Sequence, residues 1–373
     1  MSQARPVPLK NIHEELSASF GEFAGWEVPM MYTSTIEEHL AVRKDAGVFD
    51  ISHMGRVIVR GSDALELLER LYTKKISKTK PMFMSGPTLA LNEYARVKDD
   101  EMLYRVSDEE WLFVPNAAVT KTMISYLESK AKEYGLRVEV EDLTDKYAML
   151  ALQGPNAVEY LSKIAGREVV DLKPLEFILG ASIAGVDTFL VSRSGWTGED
   201  GFEIWAEPSK AGKILRELVG LGVKPVGIAA RDTLRIEMGF VLGGHEYGED
   251  PMKYPCALSL RYGLGAIDWD KTGFVGEPAL RACRKEGVRW IRIGFVMKKK
   301  HARFIPRESY RITVEGIDVG WVTSGTYSPI RKRGLGMGYI DVRYAIIDEP
   351  ITIVDHRGRE GVAKIQEFPL IHK

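Results

Sequence analysis

The sequence predicts an α+β protein: two related mixed α/β subdomains in the first two thirds, followed by a small all-β, barrel-like C-terminal domain. Three observations carry this expectation. Two separate stretches share the frame G-x-[DN]-A-x-E-x-L, reading VRGSDALELL over Val59–Leu68 and LQGPNAVEYL over Leu152–Leu161. Apolar residues recur at helical spacing in three further segments of the same region. After about Trp269 the texture changes to short β-rich runs punctuated by Gly and Pro.

A helix is expected over Ile36–Ala46, from its apolar spacing. Val59–Leu68 then reads as an apolar strand end, a Gly turn, an Asp at the helix start and an amphipathic helix. A longer helix follows over Ala118–Tyr134. Leu152–Leu161 repeats the strand-turn-helix frame with Asn in place of Asp. Next comes SRSGWTGEDGFEIW, Ser192–Trp205, in which Gly195, Gly198 and Gly201 allow sharp turns and close backbone approach between two strands. In the strand that leaves it, Phe202, Ile204 and Ala206 share one face and Glu203 and Trp205 the other. On the residues alone Glu203 is either a solvated hairpin position or a binding group. A helix over Pro208–Leu221 stops at Gly222. The domain boundary falls near Asp270–Glu277, ahead of YRITVEGIDVGWVTSG, GLGMGYID and PITIVDHRGREGVAKI.

With 373 residues, 45% hydrophobic and 28% charged, the chain has room for two or three soluble domains. A net charge of −1 gives no general case for nucleic acid or an anionic membrane surface. The run KKKHAR, Lys298–Arg303, reads as a solvated basic loop. Cys256 and Cys283 form no CxxC and no disulfide framework, which fits a reducing compartment. MSQARPVPLKNIHEEL contains no apolar segment long enough for a signal peptide or membrane span, so a cytoplasmic location is expected.

Several motifs are set aside. GLGMGYI, Gly334–Ile340, lacks the third glycine of a dinucleotide loop and sits among β runs with no helix after it. There is no Walker loop, no HExxH and no Gly-x-Ser-x-Gly elbow, and SGTYSP reads as a turn-rich segment. The histidines are scattered, and His53 in ISHMG reads as a satisfied strand-end residue, so no metal site is expected.

What remains are FAGWEVPMMYTS from Phe23, FDISHMG from Phe49, NEYARVKDDEMLYRV from Asn92, GIAARDTLRIEMG from Gly227 and the SRSGWTGEDGFEIW stretch. With the C-terminal TSGTYSP and FPL, these spaced motifs resemble the aminomethyltransferases, the folate-dependent T-protein family of the glycine cleavage system. The resemblance spans the whole chain. It implies that residues 1–50 with 145–269, and residues 51–144, are two subdomains forming a folate pocket, with the β-barrel domain over 270–373.

The resemblance also implies roles. Asp100, second of the Asp-Asp pair, matches the catalytic carboxylate, and Asp99 points the other way if the strand is regular. Met54 in SHMG, Tyr104, and Asn116, read as lying on the following strand, match folate-pocket positions. Trp196 supplies a flat aromatic face, Glu203 matches the pterin-binding glutamate and Arg231 in AARD the folate-site arginine. The chemistry suits these types: a carboxylate can accept from both the exocyclic amine and the ring N–H of a pterin. Read as residues, Arg231 could instead pair with Asp232 or Glu237, and Tyr104 and Met54 could equally be core. The implied reaction releases ammonia from an aminomethyl group on the dihydrolipoyl arm of the H-protein and passes the one-carbon unit to the cosubstrate tetrahydrofolate. The product is 5,10-methylene-tetrahydrofolate. The chain differs from the family pattern at Trp196 (usually Tyr), Ala95-Arg96 (Gly-Gly), Pro87 (Tyr) and PCALS, Pro255–Ser259, which lacks a glutamate. These differences keep two alternatives open: a tetrahydrofolate-dependent demethylase of a small methyl donor, and a non-catalytic folate-binding assembly or repair factor.

Overall fold

The strand-turn-helix frame that occurs twice in the sequence is built twice in the computed structural model, which describes residues 4–261 and 265–371. Val57–Arg60 runs into the helix Ala64–Leu71, and Ala148–Gln153 into the helix Ala157–Ser162. Both turns depend on a glycine in a conformation closed to side chains, with φ of 136° at Gly61 and 145° at Gly154. A Cβ would lie 2.2 Å from the carbonyl oxygen of Arg137 at the first and 2.3 Å from that of Asp45 at the second. Asp63 and Asn156 stand at the helix starts as expected, yet neither caps its own helix. Asp63 accepts from the Arg137 backbone N–H at 2.7 Å, and the Asn156 amide donates to Asp45 at 3.0 Å. Each polar side chain thus holds the segment that its glycine admits.

The first copy belongs to a five-stranded sheet ordered Phe83–Leu91, Val97–Arg105, Glu110–Phe113, Val57–Arg60, Glu139–Asp142. The second belongs to a six-stranded sheet ordered Phe177–Leu179, Leu190–Ser192, Gly201–Ala206, Ala148–Gln153, Gly47–Asp50, Lys224–Pro225. Only the last pairing of that sheet is parallel. Leu150, Leu152, Phe202 and Ile204 turn one face of it toward Ile214, Leu215 and Leu218, the apolar stripe of the helix Pro208–Gly220. The other expected helices form over Thr35–Lys44, capped by Ser34, and Thr120–Tyr134, ended by Gly135 in the left-handed region.

Two units emerge from the packing, one drawn from Met1–Leu89, Asp99–Arg231 and Gly265–Lys271, the other from Ala90–Lys98, Asp232–Leu264 and Thr272–Lys373. The second contains a closed barrel ordered Trp290–Met297, Arg333–Asp341, Ile317–Ser328, Arg311–Val314, Pro350–Val354, Glu360–Gln366. A helix that the β-rich texture hides, Glu277–Glu286, precedes it. The glycines of GLGMGYI belong to barrel packing: a Cβ on Gly334, Gly336 or Gly338 would fall 2.2, 2.5 or 2.3 Å from a neighbouring backbone carbonyl oxygen. SGTYS, Ser324–Ser328, is strand rather than turn, the end of Ile317–Ser328, and only Pro329 enters the turn after it. Its Ser324 bonds both to buried Glu246 and to Arg235, which itself pairs with Glu246 at 2.8 Å. KKKHAR includes a short 3₁₀ turn, Lys299–His301, with Lys299 and Lys300 exposed. Among the described residues no helix is long and apolar enough to cross a membrane.

The paired glycines give a stability test. Gly61→Ala and Gly154→Ala combine a forbidden φ with a backbone clash and should each lower unfolding free energy by roughly 2–4 kcal/mol, the scale of strain plus displaced packing. Gly180→Ala, at φ 69° with nothing near the added Cβ, should cost only about 1–2 kcal/mol. Urea unfolding of the three variants distinguishes them, and equal losses would contradict the packing account.

Candidate functional site

Along Val97–Arg105 the side chains alternate, so Asp99 and Glu101 are buried on one face while Asp100 and Met102 are half-buried on the other. The two aspartates therefore diverge, as expected. Asp99 accepts from the Asn116 backbone N–H at 2.9 Å, the Asn116 side-chain amide at 2.7 Å and the Asp100 N–H at 3.1 Å. The same Asn116 amide reaches Asp100 Oδ1 at 3.2 Å. Asn116 lies beyond the strand Glu110–Phe113, in the connection to the helix Thr120–Tyr134, rather than within the strand as expected. That position is what lets both its backbone and its side chain reach Asp99.

Tyr104, on the same strand, is 1% exposed and wedged edge-on against Phe177 and Trp205. Its hydroxyl donates to Glu203 Oε2 at 3.4 Å, and Ser194 donates to the same oxygen at 2.7 Å. Burial raises the Glu203 pKa above the ordinary glutamate value, against the opposing effects of Ser194, the charge of Arg231 and Tyr104. Burial and the Glu203 charge likewise push the Tyr104 hydroxyl well above its ordinary range, so it remains a donor. Glu203 is half-buried and engaged, which removes the solvated-hairpin alternative, and Tyr104 is both a packed core residue and a contact of Glu203.

Arg231 reaches this group from the helix Ile228–Met238. The start of that helix is fixed by buried Glu38, which accepts from the backbone N–H groups of Tyr32, Thr33 and Gly227 at 2.7, 2.8 and 2.8 Å. A Cβ on Gly227 would sit 2.0 Å from the Met30 carbonyl oxygen. Arg231 is 9% exposed, and its guanidinium lies 4.5 Å from the centre of the Trp196 ring. Asp232 and Glu237 are engaged by Arg235 and Ser328. Tyr104, Glu203, Arg231 and Trp196 are thus joined.

The glycine-rich loop owes its composition to Gln153 as much as to any ligand. A Cβ on Gly195 would fall 1.8 Å from Gln153 Oε1. The Gln153 amide donates to the Ser194 carbonyl and accepts from the Thr197 hydroxyl, both at 2.9 Å, while Arg43 bonds Glu199 at 2.8 Å. Ser194, Gln153 and Arg43 escaped the sequence reading, because only folding shows which side chains grip a loop.

Met54 is half-buried in the turn after Gly47–Asp50, apart from these polar links. The turn is held by buried Arg56, which donates to the carbonyls of Ser52, Met54 and Thr144. Below it Asp50 bonds His13 Nε2 at 2.7 Å, and His13 Nδ1 meets the Tyr32 hydroxyl at 2.8 Å. Burial would raise the Asp50 pKa, but the His13 contact leaves it lowered. His53 is not the satisfied residue expected: it is 1% exposed, packed edge-on to Phe23, and neither ring nitrogen has a hydrogen-bond partner in the protein. Burial and the charge of Arg231 push its pKa down to about 3, so the ring is neutral. Among the described residues no group of His, Cys, Asp and Glu could hold a metal ion.

Residues 9–263 match the family described as the GCVT N-terminal domain, and residues 292–371 the glycine cleavage T-protein C-terminal barrel domain. A probable aminomethyltransferase of Aeropyrum pernix is 64% identical, with 97% of this chain and 96% of that protein covered. The aminomethyltransferase of Halothermothrix orenii is 37% identical over 98% of this chain and 100% of its own length. Among solved structures, the glycine cleavage system aminomethyltransferase T from Bartonella henselae superposes with a TM-score of 0.86 at 29% identity, covering 99% of this chain and 98% of the other. The chain belongs to the glycine cleavage T-protein family.

Proposed function

We propose that this chain is a folate-dependent aminomethyltransferase of glycine cleavage. It releases ammonia from the aminomethyl group on the dihydrolipoyl arm of an H-protein and passes the one-carbon unit to tetrahydrofolate, giving 5,10-methylene-tetrahydrofolate. The observation that carries this reading is the half-buried Glu203 carboxylate, held by Ser194 and Tyr104 near Arg231, with Trp196 beneath the guanidinium. The sequence relatives and the superposed structure support the same activity.

The residues fit a reduced pterin. A carboxylate offers about four acceptor positions, and both protein donors use Glu203 Oε2. The remaining positions suit the ring N–H and exocyclic amine of the pterin. Trp196, its ring covered on one side by Arg231, offers an aromatic plane to the cosubstrate. Asp100 accepts from the folate amine, keeps that nitrogen available as nucleophile, and stabilises the positive charge that develops as ammonia departs. Asn116 holds Asp100 in place, and Met54 forms pocket wall. In this reading residues 1–50 with 145–269, and 51–144, are the two folate-binding subdomains, and 270–373 the C-terminal domain. The free thiols of Cys256 and Cys283 support a reducing, cytoplasmic setting.

Three outcomes are expected. With tetrahydrofolate and aminomethylated H-protein, the purified chain forms 5,10-methylene-tetrahydrofolate and ammonia; 5-methyl-tetrahydrofolate formed without a carrier would establish the demethylase instead. Asp100→Asn lowers turnover by roughly a hundredfold or more, the scale of a lost acid-base or charge-stabilising group. Steady-state assays that find it fully active would remove Asp100 from the mechanism. Glu203→Gln replaces one acceptor oxygen with a donor and weakens tetrahydrofolate binding by about 1.5–3 kcal/mol. Calorimetric titration checks this, and an unchanged Kd would free Glu203 of any binding role.

A further inference from the structure

Behind Asp100, on the buried face of the same strand, stands a second carboxyl group that the reaction as described leaves without a purpose. Glu101 is 4% exposed. The Tyr72 hydroxyl donates to its Oε2, while its buried Oε1 meets no donor in the protein. Asp99, fully buried beside it, lies within hydrogen-bonding reach of the Glu101 side chain and already accepts three N–H groups. Two buried carboxylates in contact cannot both remain ionised without a compensating charge, because desolvation and mutual repulsion act together.

One proton resolves all of this. Placed on Glu101, it gives that side chain a hydrogen to donate toward Asp99, while Oε2 continues to accept from the Tyr72 hydroxyl. The alternative, a proton on Asp99, would put a hydroxyl among three N–H donors and sacrifice bonds to Asn116. Resting on the role given above to Asp100, we propose that Glu101 is a positioning residue that stays protonated, donates to Asp99, and through Asp99 and Asn116 holds the reactive Asp100 carboxylate in place. Each link of that chain is a hydrogen bond: Asn116 bonds Asp99 through both its backbone and its amide, and the same amide reaches Asp100 Oδ1.

The groups facing Glu101 agree with a neutral acid. Burial is the largest influence raising its pKa, Asp99 and Asp100 repel its charged form from its own strand, and these outweigh the Tyr72 hydrogen bond, which favours the charged form. Tyr72, following the helix Ala64–Leu71, is itself kept protonated by burial and by Glu101, with Asp99 and Tyr126 of the helix Thr120–Tyr134 acting in the same direction. A carboxylic acid kept neutral at physiological pH can serve as a hydrogen-bond donor, which is the function assigned here.

The test is infrared difference spectroscopy combined with kinetics on the full chain. Wild type minus Glu101→Gln at neutral pH should contain the carbonyl stretch of a protonated carboxylic acid, shifted in heavy water. Glu101→Leu removes the donor to Asp99 and should lower kcat by roughly tenfold to a hundredfold, the scale of a displaced reacting group. Its effect on the tetrahydrofolate KM should be small. With that donor gone the protonated form of the aspartate pair is favoured, so the acid limb of kcat should move to higher pH. Glu101→Gln keeps a donor at the position and should recover the profile that Glu101→Leu loses. Absence of the protonated-acid band overturns the proposal, as does an acid limb unmoved in Glu101→Leu. The band reports the Glu101 proton whether or not Asp100 is the catalytic group, so an active Asp100→Asn variant remains a separate failure.

Discussion

A carboxylate that leaves water must be met by donors and positive charge, and at Glu203 these come from three separate stretches of chain. Ser194 arrives from the glycine-rich loop, Tyr104 from the five-stranded sheet and Arg231 from the helix after the six-stranded sheet. Satisfying one side chain therefore fixes how these elements meet. The supporting contacts follow from that need: Gln153 grips the loop that carries Ser194, and Glu38 fixes the helix start that carries Arg231. Gly195 and Gly227 are glycine because those grips leave no room for a Cβ.

The pair Asp99 and Asp100 illustrates the same constraint from the other side. One residue of offset on a strand reverses the face, so adjacent carboxyl groups receive opposite environments. Asp99 is enclosed and bonded to backbone and amide donors, while Asp100 keeps a half-buried position that the Asn116 amide reaches. A buried scaffold carboxylate behind and an accessible one in front is an arrangement suited to holding a charge rigidly where a positive centre forms. Preorganisation of this kind needs the donors in place before the ligand arrives, and the protein supplies them.

Much of the architecture was legible in the sequence because it depends on local rules. The doubled G-x-[DN]-A frame, the stripe of the helix Pro208–Gly220 and the alternation that separates Glu203 from Phe202 are period-based signals that appear in the structure, whereas the helix Thr35–Lys44 forms but buries Glu38 and His39 and leaves Ile36 exposed. Asp63 and Asn156 were legible as helix-start residues, but they cap neither helix: their bonds go to segments distant in sequence, which no local rule shows. SGTYSP looked like a turn because small polar residues are common in turns, whereas its serines serve buried Glu246 and Glu237. The partners of Glu203, the unbonded ring nitrogens of His53 and the Tyr72–Glu101–Asp99 cluster are products of tertiary contact. No spacing rule encodes them. Asp100 and Arg231 were singled out by family resemblance, and the geometry adds the physical environment that resemblance lacks.

In the proposed reaction the Glu203 group receives the pterin and turns its reactive nitrogens toward Asp100. A crystal structure of the chain with tetrahydrofolate tests it most directly. The pterin ring N–H and exocyclic amine are expected on the Glu203 carboxylate, the ring system against Trp196, and the folate amine within hydrogen-bonding distance of Asp100. A folate bound elsewhere, with Glu203 still engaged only by Ser194 and Tyr104, would contradict it.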